Sequence, residues 1–189
     1  MQQSQAIVTG SLSDVAKREG MSLAESFLSA DAVVLVDVSG SMDARDSRGG
    51  LSRYDVALQE LAELQKRLPG KVAVIAFSDS TMFCPGGQPP LLGSGTNLAG
   101  ALRFARVADV PDMRFVVISD GMPDDQDGAL AEAAKYRAHI STVYVGPESD
   151  LEGGRAFLAQ LAAKSGGQSV TADRAQELAA KTATLLLGA

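Results

Sequence analysis

Short apolar stretches alternate with longer stretches of helical periodicity from about residue 31 onward. The apolar stretches are rich in Val, Ile or Phe and cover residues 32–38, 71–78, 113–119, 140–145 and 168–172. The helical stretches cover residues 53–68, 97–108, 126–138, 154–165 and 174–187. Strands that alternate with helices form right-handed βαβ units and a parallel sheet. We therefore predict a doubly wound α/β fold, with a mostly parallel central sheet and helices on both faces.

Two segments stand apart from this alternation. Residues 81–84 follow a turn after the second strand and predict a short hairpin partner, which would be an antiparallel edge strand. Residues 1–30 precede the first strand and form an N-terminal extension, so the main domain spans residues 31–189. Ser13 and Asp14 could cap a surface helix there, interrupted by Gly20. A docking arm for a partner and a disordered segment are the alternatives for this extension.

Charge and composition exclude several classes of function. The chain has 189 residues and a net charge of −6, so no basic excess is available to bind nucleic acid or an anionic membrane. Its single cysteine, Cys84, excludes an internal disulfide and a cysteine-rich zinc site. The N-terminus carries neither a basic segment nor a long apolar run, so we expect a cytoplasmic protein without a signal sequence or membrane span.

Three oxygen-bearing motifs lie at junctions between predicted strands and helices. Residues 37–41 read Asp-Val-Ser-Gly-Ser directly after the first strand, Gly-Thr at 95–96 precedes a helix, and Asp-Gly at 120–121 follows another strand. The carboxyl ends of parallel strands meet at one edge of a sheet, where ligands bind. Hard oxygen ligands suit Mg²⁺, Mn²⁺ or Ca²⁺ rather than zinc. Each motif alone could be a helix cap or a turn, but their conjunction predicts a metal site.

The three motifs together resemble a von Willebrand factor type A (vWA) domain with a metal-ion-dependent adhesion site. The family pattern of D-x-S-x-S, then Thr, then Asp-Gly is matched by Asp37, Ser39, Ser41, Thr96 and Asp120. The resemblance covers residues 31–189 and implies a central sheet with one antiparallel edge strand. It also implies that Ser39, Ser41 and Thr96 bind Mg²⁺ (or Mn²⁺ or Ca²⁺) through their hydroxyls. Asp37 and Asp120 would bind the ion directly or through water.

Side chains next to these motifs have structural and functional interpretations. Asp124, Asp125 and Asp127 could form a second cation site, or could be the solvated start of a helix. Met42 and Met122 each follow a motif and could line an apolar rim for a partner or pack beneath the loops.

The resemblance implies a metal-dependent protein-interaction module rather than an enzyme. A partner's Asp or Glu would complete the coordination of the metal ion, and the module could be a regulatory or assembly subunit, as in family members that work alongside AAA+ ATPases. A structural subunit with a silent metal site is the alternative. A haloacid-dehalogenase-type phosphatase would need a second Asp where Ser39 stands. A nucleotide-binding domain would need a glycine-rich phosphate loop that the sequence lacks.

Overall fold

A computed structural model describes residues 7–172 of the chain. The described residues contain one six-stranded sheet in the order β3-β2-β1-β4-β5-β6. The strands are β1 (Ala32–Asp37), β2 (Val72–Phe77), β3 (Thr81–Phe83), β4 (Arg114–Ser119), β5 (Ile140–Tyr144) and β6 (Ser169–Thr171). Only β3 is antiparallel to its neighbour among these strands. The predicted fold, with its antiparallel edge strand, is confirmed.

The helices of the main domain cover both faces of this sheet. They are α3 (Arg53–Arg67), α4 (Leu98–Ala105), α5 (Gln126–Ala133) and α6 (Gly154–Ser165). Helices α4, α5 and α6 bury apolar side chains on one face, and α3 does so on the other. The helix predicted over residues 174–187 lies outside the described residues.

The described part of the N-terminal extension, residues 7–30, contains two helices instead of one. They are α1 (Leu12–Glu19) and α2 (Leu23–Leu28). Ser11, not Ser13, caps α1 by accepting a hydrogen bond from the backbone of Asp14, and Gly20 ends the helix in a left-handed conformation. Ser22 then opens α2 with a capping box. The interruption expected at Gly20 is therefore a full helix boundary.

Strand β1 positions the predicted site at the centre of the sheet. All six of its residues are buried, because β2 and β4 flank it and helices cover both faces. The chain adds β2 and β3 on one side of β1, and then β4, β5 and β6 on its other side. Doubly wound proteins form their ligand crevice at such a reversal of strand order. Asp37 ends β1, and Asp120 directly follows the last residue of the adjacent β4.

Candidate metal centre

Asp37 is a buried carboxylate held in a fixed orientation. One of its oxygens accepts a hydrogen bond from the backbone N–H of Ser39 at 2.9 Å, and the other accepts one from the hydroxyl of Ser119 at 2.7 Å. Burial, followed by the negative charge of Asp120, raises the pKa of Asp37 to about 6. A positive ion beside the two carboxylates would relieve this repulsion.

The loop after β1 places two hydroxyl groups side by side. The Oγ atoms of Ser39 and Ser41 lie 3.2 Å apart, where a short 3₁₀ helix over Gly40–Asp43 begins. The backbone N–H of Gly40 donates to the carbonyl of Ser94 at 3.0 Å. This bond ties the first predicted motif to the loop that carries the second.

Thr96 is buried just before α4 and is held by Asp124, which follows the third motif. Its backbone N–H donates to the carboxylate of Asp124 at 2.7 Å, and its carbonyl accepts from the backbone N–H of Asp124 at 3.1 Å. Asn97, rather than Thr96, caps α4 through its side chain. A capping role therefore does not account for the Thr96 hydroxyl, and all three motifs meet at one edge of the sheet.

Asp120 is buried and binds an arginine that the sequence did not single out. Nη1 of Arg53 donates to one oxygen of Asp120 at 2.7 Å, while Nε and Nη2 of the same guanidinium bind both oxygens of Asp46. These two carboxylates raise the pKa of Arg53 further above its ordinary value. Arg53 is the first residue of α3, where the helix dipole disfavours a cation. A cation directly after the helix-capping Ser52 is unusual, and this position was the feature of the sequence that could have identified Arg53.

The donor set at this edge fits a hard divalent cation. Oδ1 of Asp120 is buried without a hydrogen-bond partner. A buried oxygen of this kind is costly unless a donor or a cation satisfies it. Residues 7–172 hold no cluster of three or more His, Cys, Asp or Glu side chains placed to bind a metal ion. Any cation here therefore depends on hydroxyl oxygens as well as on the two carboxylates, and the five predicted ligands stay a prediction.

A cavity of about 300 Å³ opens beside Asp120. Arg53, Asp46 and Met122 line it, together with Tyr144 and residues of the 147–154 loop. Hydrogen bonds to the Asp150 carboxylate from the Tyr144 hydroxyl and from the backbone of Arg155 hold that loop in place. The cavity gives an incoming side chain access to the Asp120 side of the site.

The flanking residues divide between structural and surface roles. Asp125 caps α5 and Asp127 lies in its first turn, which agrees with the interpretation of a helix start. Asp124 departs from that interpretation because it binds the Thr96 backbone. Met42 is fully buried in the core beneath the loops, whereas Met122 is half-buried at the cavity.

Comparison with solved structures supports the fold. The chain is similar to an aerotolerance-related membrane protein from Bacteroides fragilis (18% identity, TM-score 0.66, covering 81% of this chain and 98% of that one). It is also similar to the conserved hypothetical protein BatB from Bacteroides thetaiotaomicron (17%, 0.60, covering 84% and 98%). The manganese-loaded TRAP protein of Plasmodium vivax matches at 16% identity with a TM-score of 0.56, covering 82% and 73%.

No family model matches the chain, and no curated protein matches it either. The structural similarities define a vWA-like α/β fold, and at these identities they establish the fold alone. Within residues 7–172, no helix has the length and apolar character needed to cross a membrane.

Proposed function

We propose that the chain is a protein-interaction module that binds an acidic partner residue through a divalent cation. The observation that carries the proposal is the convergence of the three motifs at the carboxyl ends of β1 and β4, where the strand order reverses. Asp37 ends β1 there, Asp120 directly follows the adjacent β4, and the hydroxyls of Ser39 and Ser41 lie 3.2 Å apart. That arrangement supports a site for Mg²⁺ or Mn²⁺, and the manganese-loaded TRAP neighbour is consistent with it.

The five predicted ligands leave the cation short of negative charge. Ser39, Ser41 and Thr96 contribute neutral hydroxyls, so only Asp37 and Asp120 bring formal charge. Arg53 offsets part of the charge of Asp120. When bound, the cation would supply an electrophilic position that attracts an anionic oxygen. An Asp or Glu side chain of a partner protein matches that requirement, and an AAA+ ATPase system is the partner class that we propose to examine first.

We also propose that the site does not catalyse a reaction. Both oxygens of Asp37 accept hydrogen bonds within the protein, and the side chain is fully buried, so a substrate cannot reach it as a nucleophile. His139, the chain's single histidine, bonds the carbonyl of Ser165 far along the chain. It therefore offers no base near Asp37.

Direct titration with Mn²⁺, followed by electron paramagnetic resonance of the free ion, tests the metal site. We expect one site in the wild type, competed by Mg²⁺ and lost in Asp37→Ala and Thr96→Ala. Asp124→Ala should weaken binding by about tenfold, because Asp124 orients the Thr96 loop without being a ligand. Asp127→Ala is the matched control and should bind like the wild type, since Asp127 is exposed on α5.

Partner binding needs its own readout. Proteins captured from the source cell by immobilised wild type in Mg²⁺ should be lost with a chelator and with Asp37→Ala, provided that circular dichroism confirms folding. Metal binding without metal-dependent capture would favour the structural subunit with a silent site. Absence of Mn²⁺ binding would refute the metal-dependent mechanism. Phosphoester hydrolysis that Asp37→Asn abolishes would refute the non-enzymatic role.

A further inference from the structure

An apolar groove of about 340 Å³ lies on the sheet face that α4 covers. It is away from the carboxyl ends of the strands, where the predicted metal ligands lie and which we call the metal edge. One wall is α2 of the N-terminal extension, and the other is the end of α4 with the short 3₁₀ helix over Arg106–Ala108. Phe27 and Phe83 meet edge to face at 5.4 Å along its floor. Every lining side chain is apolar: Leu23, Ala24, Phe27, Val33, Ile75, Phe83, Phe104, Ala105, Val107 and Ala108.

The rim of this groove is unusually exposed for apolar side chains. Val107 is 85% exposed, Phe104 is 48% exposed and Leu23 is 46% exposed. Contiguous exposed apolar surface of this kind marks interaction sites. The volume of the groove falls within the range of protein ligand sites.

A positively charged hollow adjoins the groove, and Val107 lines both. Four cationic side chains belong to the hollow, which is lined by Arg103, Arg106, Lys135, Arg137, Asp109 and Val107. Glu132 pairs with Arg103 and Lys135, and Asp109 accepts hydrogen bonds from the backbone of residues 137 and 138. Two acidic groups therefore face four cations, on a chain whose net charge is −6.

We infer that this groove docks an amphipathic helix of a partner protein, with acidic residues along the flank that faces the arginines. A helix satisfies its own backbone hydrogen bonds, whereas an extended segment would place unpaired N–H and C=O groups against a purely apolar floor. Apolar residues spaced at one helix face fit a groove of this kind. The basic hollow supplies the charge complementarity that selects acidic over basic helices.

A second copy of the chain fits the geometry less well. A symmetric second copy would bring two basic hollows towards each other, because an isologous interface pairs the same surface on both subunits.

Fluorescence anisotropy with a labelled synthetic helix tests the inference on the full chain. The probe is a peptide of about 14 residues with Leu on one helical face and Glu elsewhere. Its control carries Lys in place of Glu. Titrations in chelator separate this binding from the metal site, which an acidic peptide could also reach. We expect saturable binding of the acidic peptide in chelator, and binding of the basic peptide weaker by about tenfold or more.

Substitutions then locate the binding surface. Val107→Glu should weaken binding of the acidic peptide by about tenfold or more, because it adds a like charge to the apolar rim. Arg106→Glu should also weaken this binding. Leu151→Glu is the matched control, because Leu151 is 91% exposed but lies beside the metal-edge cavity. Equal binding by wild type and Val107→Glu, no binding of the acidic peptide in chelator, or equal affinity for both peptides would each overturn the inference. Self-association in sedimentation that Val107→Glu abolishes would overturn it in favour of a second copy.

Discussion

Arg53 determines the balance of charge at the metal edge. Its side chain is 10% exposed, and it binds the buried carboxylate of Asp120 and the more exposed carboxylate of Asp46. Asp37 and Asp120 are neighbouring negative groups. The arginine thus places a positive charge beside Asp120, and it leaves Oδ1 of that residue for another ligand.

Arg53→Met should lower the free energy of unfolding by about 3 kcal/mol in chelator, because it leaves a buried carboxylate unpaired. Urea denaturation measures this change. Mg²⁺ should restore part of the loss, since a bound cation stabilises the folded state and neutralises the same carboxylate. Arg45→Met is the control, because Arg45 is exposed. Equal stability of the two variants would contradict the role given to Arg53.

The raised pKa of Asp37 predicts opposite effects of pH on stability and on metal binding. Between its ordinary pKa of 3.8 and its folded pKa of about 6, the folded protein binds more protons at this position than the unfolded chain. The Asp37 contribution to the free energy of unfolding therefore falls as pH rises through this window. Mg²⁺ binding requires the ionised group and should weaken as pH falls below about 6.

Asp37→Asn isolates that contribution, because acidic groups with lowered pKa values change the free energy of unfolding with pH in the opposite direction. Glu132 and Asp46 have lowered pKa values owing to their cationic partners. The difference in unfolding free energy between wild type and Asp37→Asn should change with pH between about 4 and 6, with the variant gaining relative stability as pH rises. A difference independent of pH would mean that the pKa of Asp37 is not raised.

At the scale of elements, the residues that directly follow β4 pack against the start of α6. Gly121 has φ +81°, and a Cβ there would lie 2.2 Å from the carbonyl oxygen of Gly154. A Cβ on Gly154 would in turn lie 2.1 Å from the carbonyl oxygen of Asp120. Paired glycines therefore let the helix approach the strand end, and this contact fixes the backbone that carries Asp120.

Gly121→Ala should destabilise the protein and weaken Mn²⁺ binding together, because relief of the clash moves the backbone of Asp120. Gly153→Ala is the matched control, since Gly153 also has φ +79° but a Cβ there meets nothing within 4 Å. It should show only the strain of a left-handed alanine, about 1 kcal/mol. Thermal unfolding and Mn²⁺ titration give the two readouts. Equal loss of Mn²⁺ affinity in both variants would contradict the packing explanation.

The sequence predicted the elements of the sheet because each buried strand is a continuous apolar run with a clear end. It also predicted the motif positions, since Asp37 and Asp120 end such runs. Arg53 escaped prediction because its buried partner, Asp120, lies 67 positions away in the sequence. The Ser11 cap was missed because Ser13 and Asp14 present an equally good capping pattern two residues later. Long-range ion pairs and local competition between caps are the features that periodicity alone does not determine.

Across the whole molecule, the N-terminal extension and the metal edge depend on different contacts. Leu12 and Val15 of α1 are buried against the domain, and the backbone of Gly70 donates to the carbonyl of Gly10. Val15 and Gly10 contact Gly70 just beyond the end of α3, whereas Arg53 at the start of α3 binds Asp120. Residues 7–30 of the extension therefore contribute to stability and form a wall of the apolar groove, and no hydrogen bond or ion pair joins these described residues to the predicted metal ligands.

Deletion of residues 1–30 should separate these two roles. Loss of the burial of Leu12 and Val15 should lower the free energy of unfolding by roughly 4 kcal/mol, at the usual value for large apolar side chains. Mn²⁺ affinity of the folded fraction should stay within about twofold of the wild type, because distant sites act independently. Leu12→Ala in the full chain is the milder companion variant, and it should lose stability while keeping both metal affinity and peptide binding. If Leu12→Ala weakens Mn²⁺ binding as much as Thr96→Ala does, the extension and the metal edge are coupled. The N-terminal helices would then belong to the metal-dependent mechanism and not to a separate docking surface.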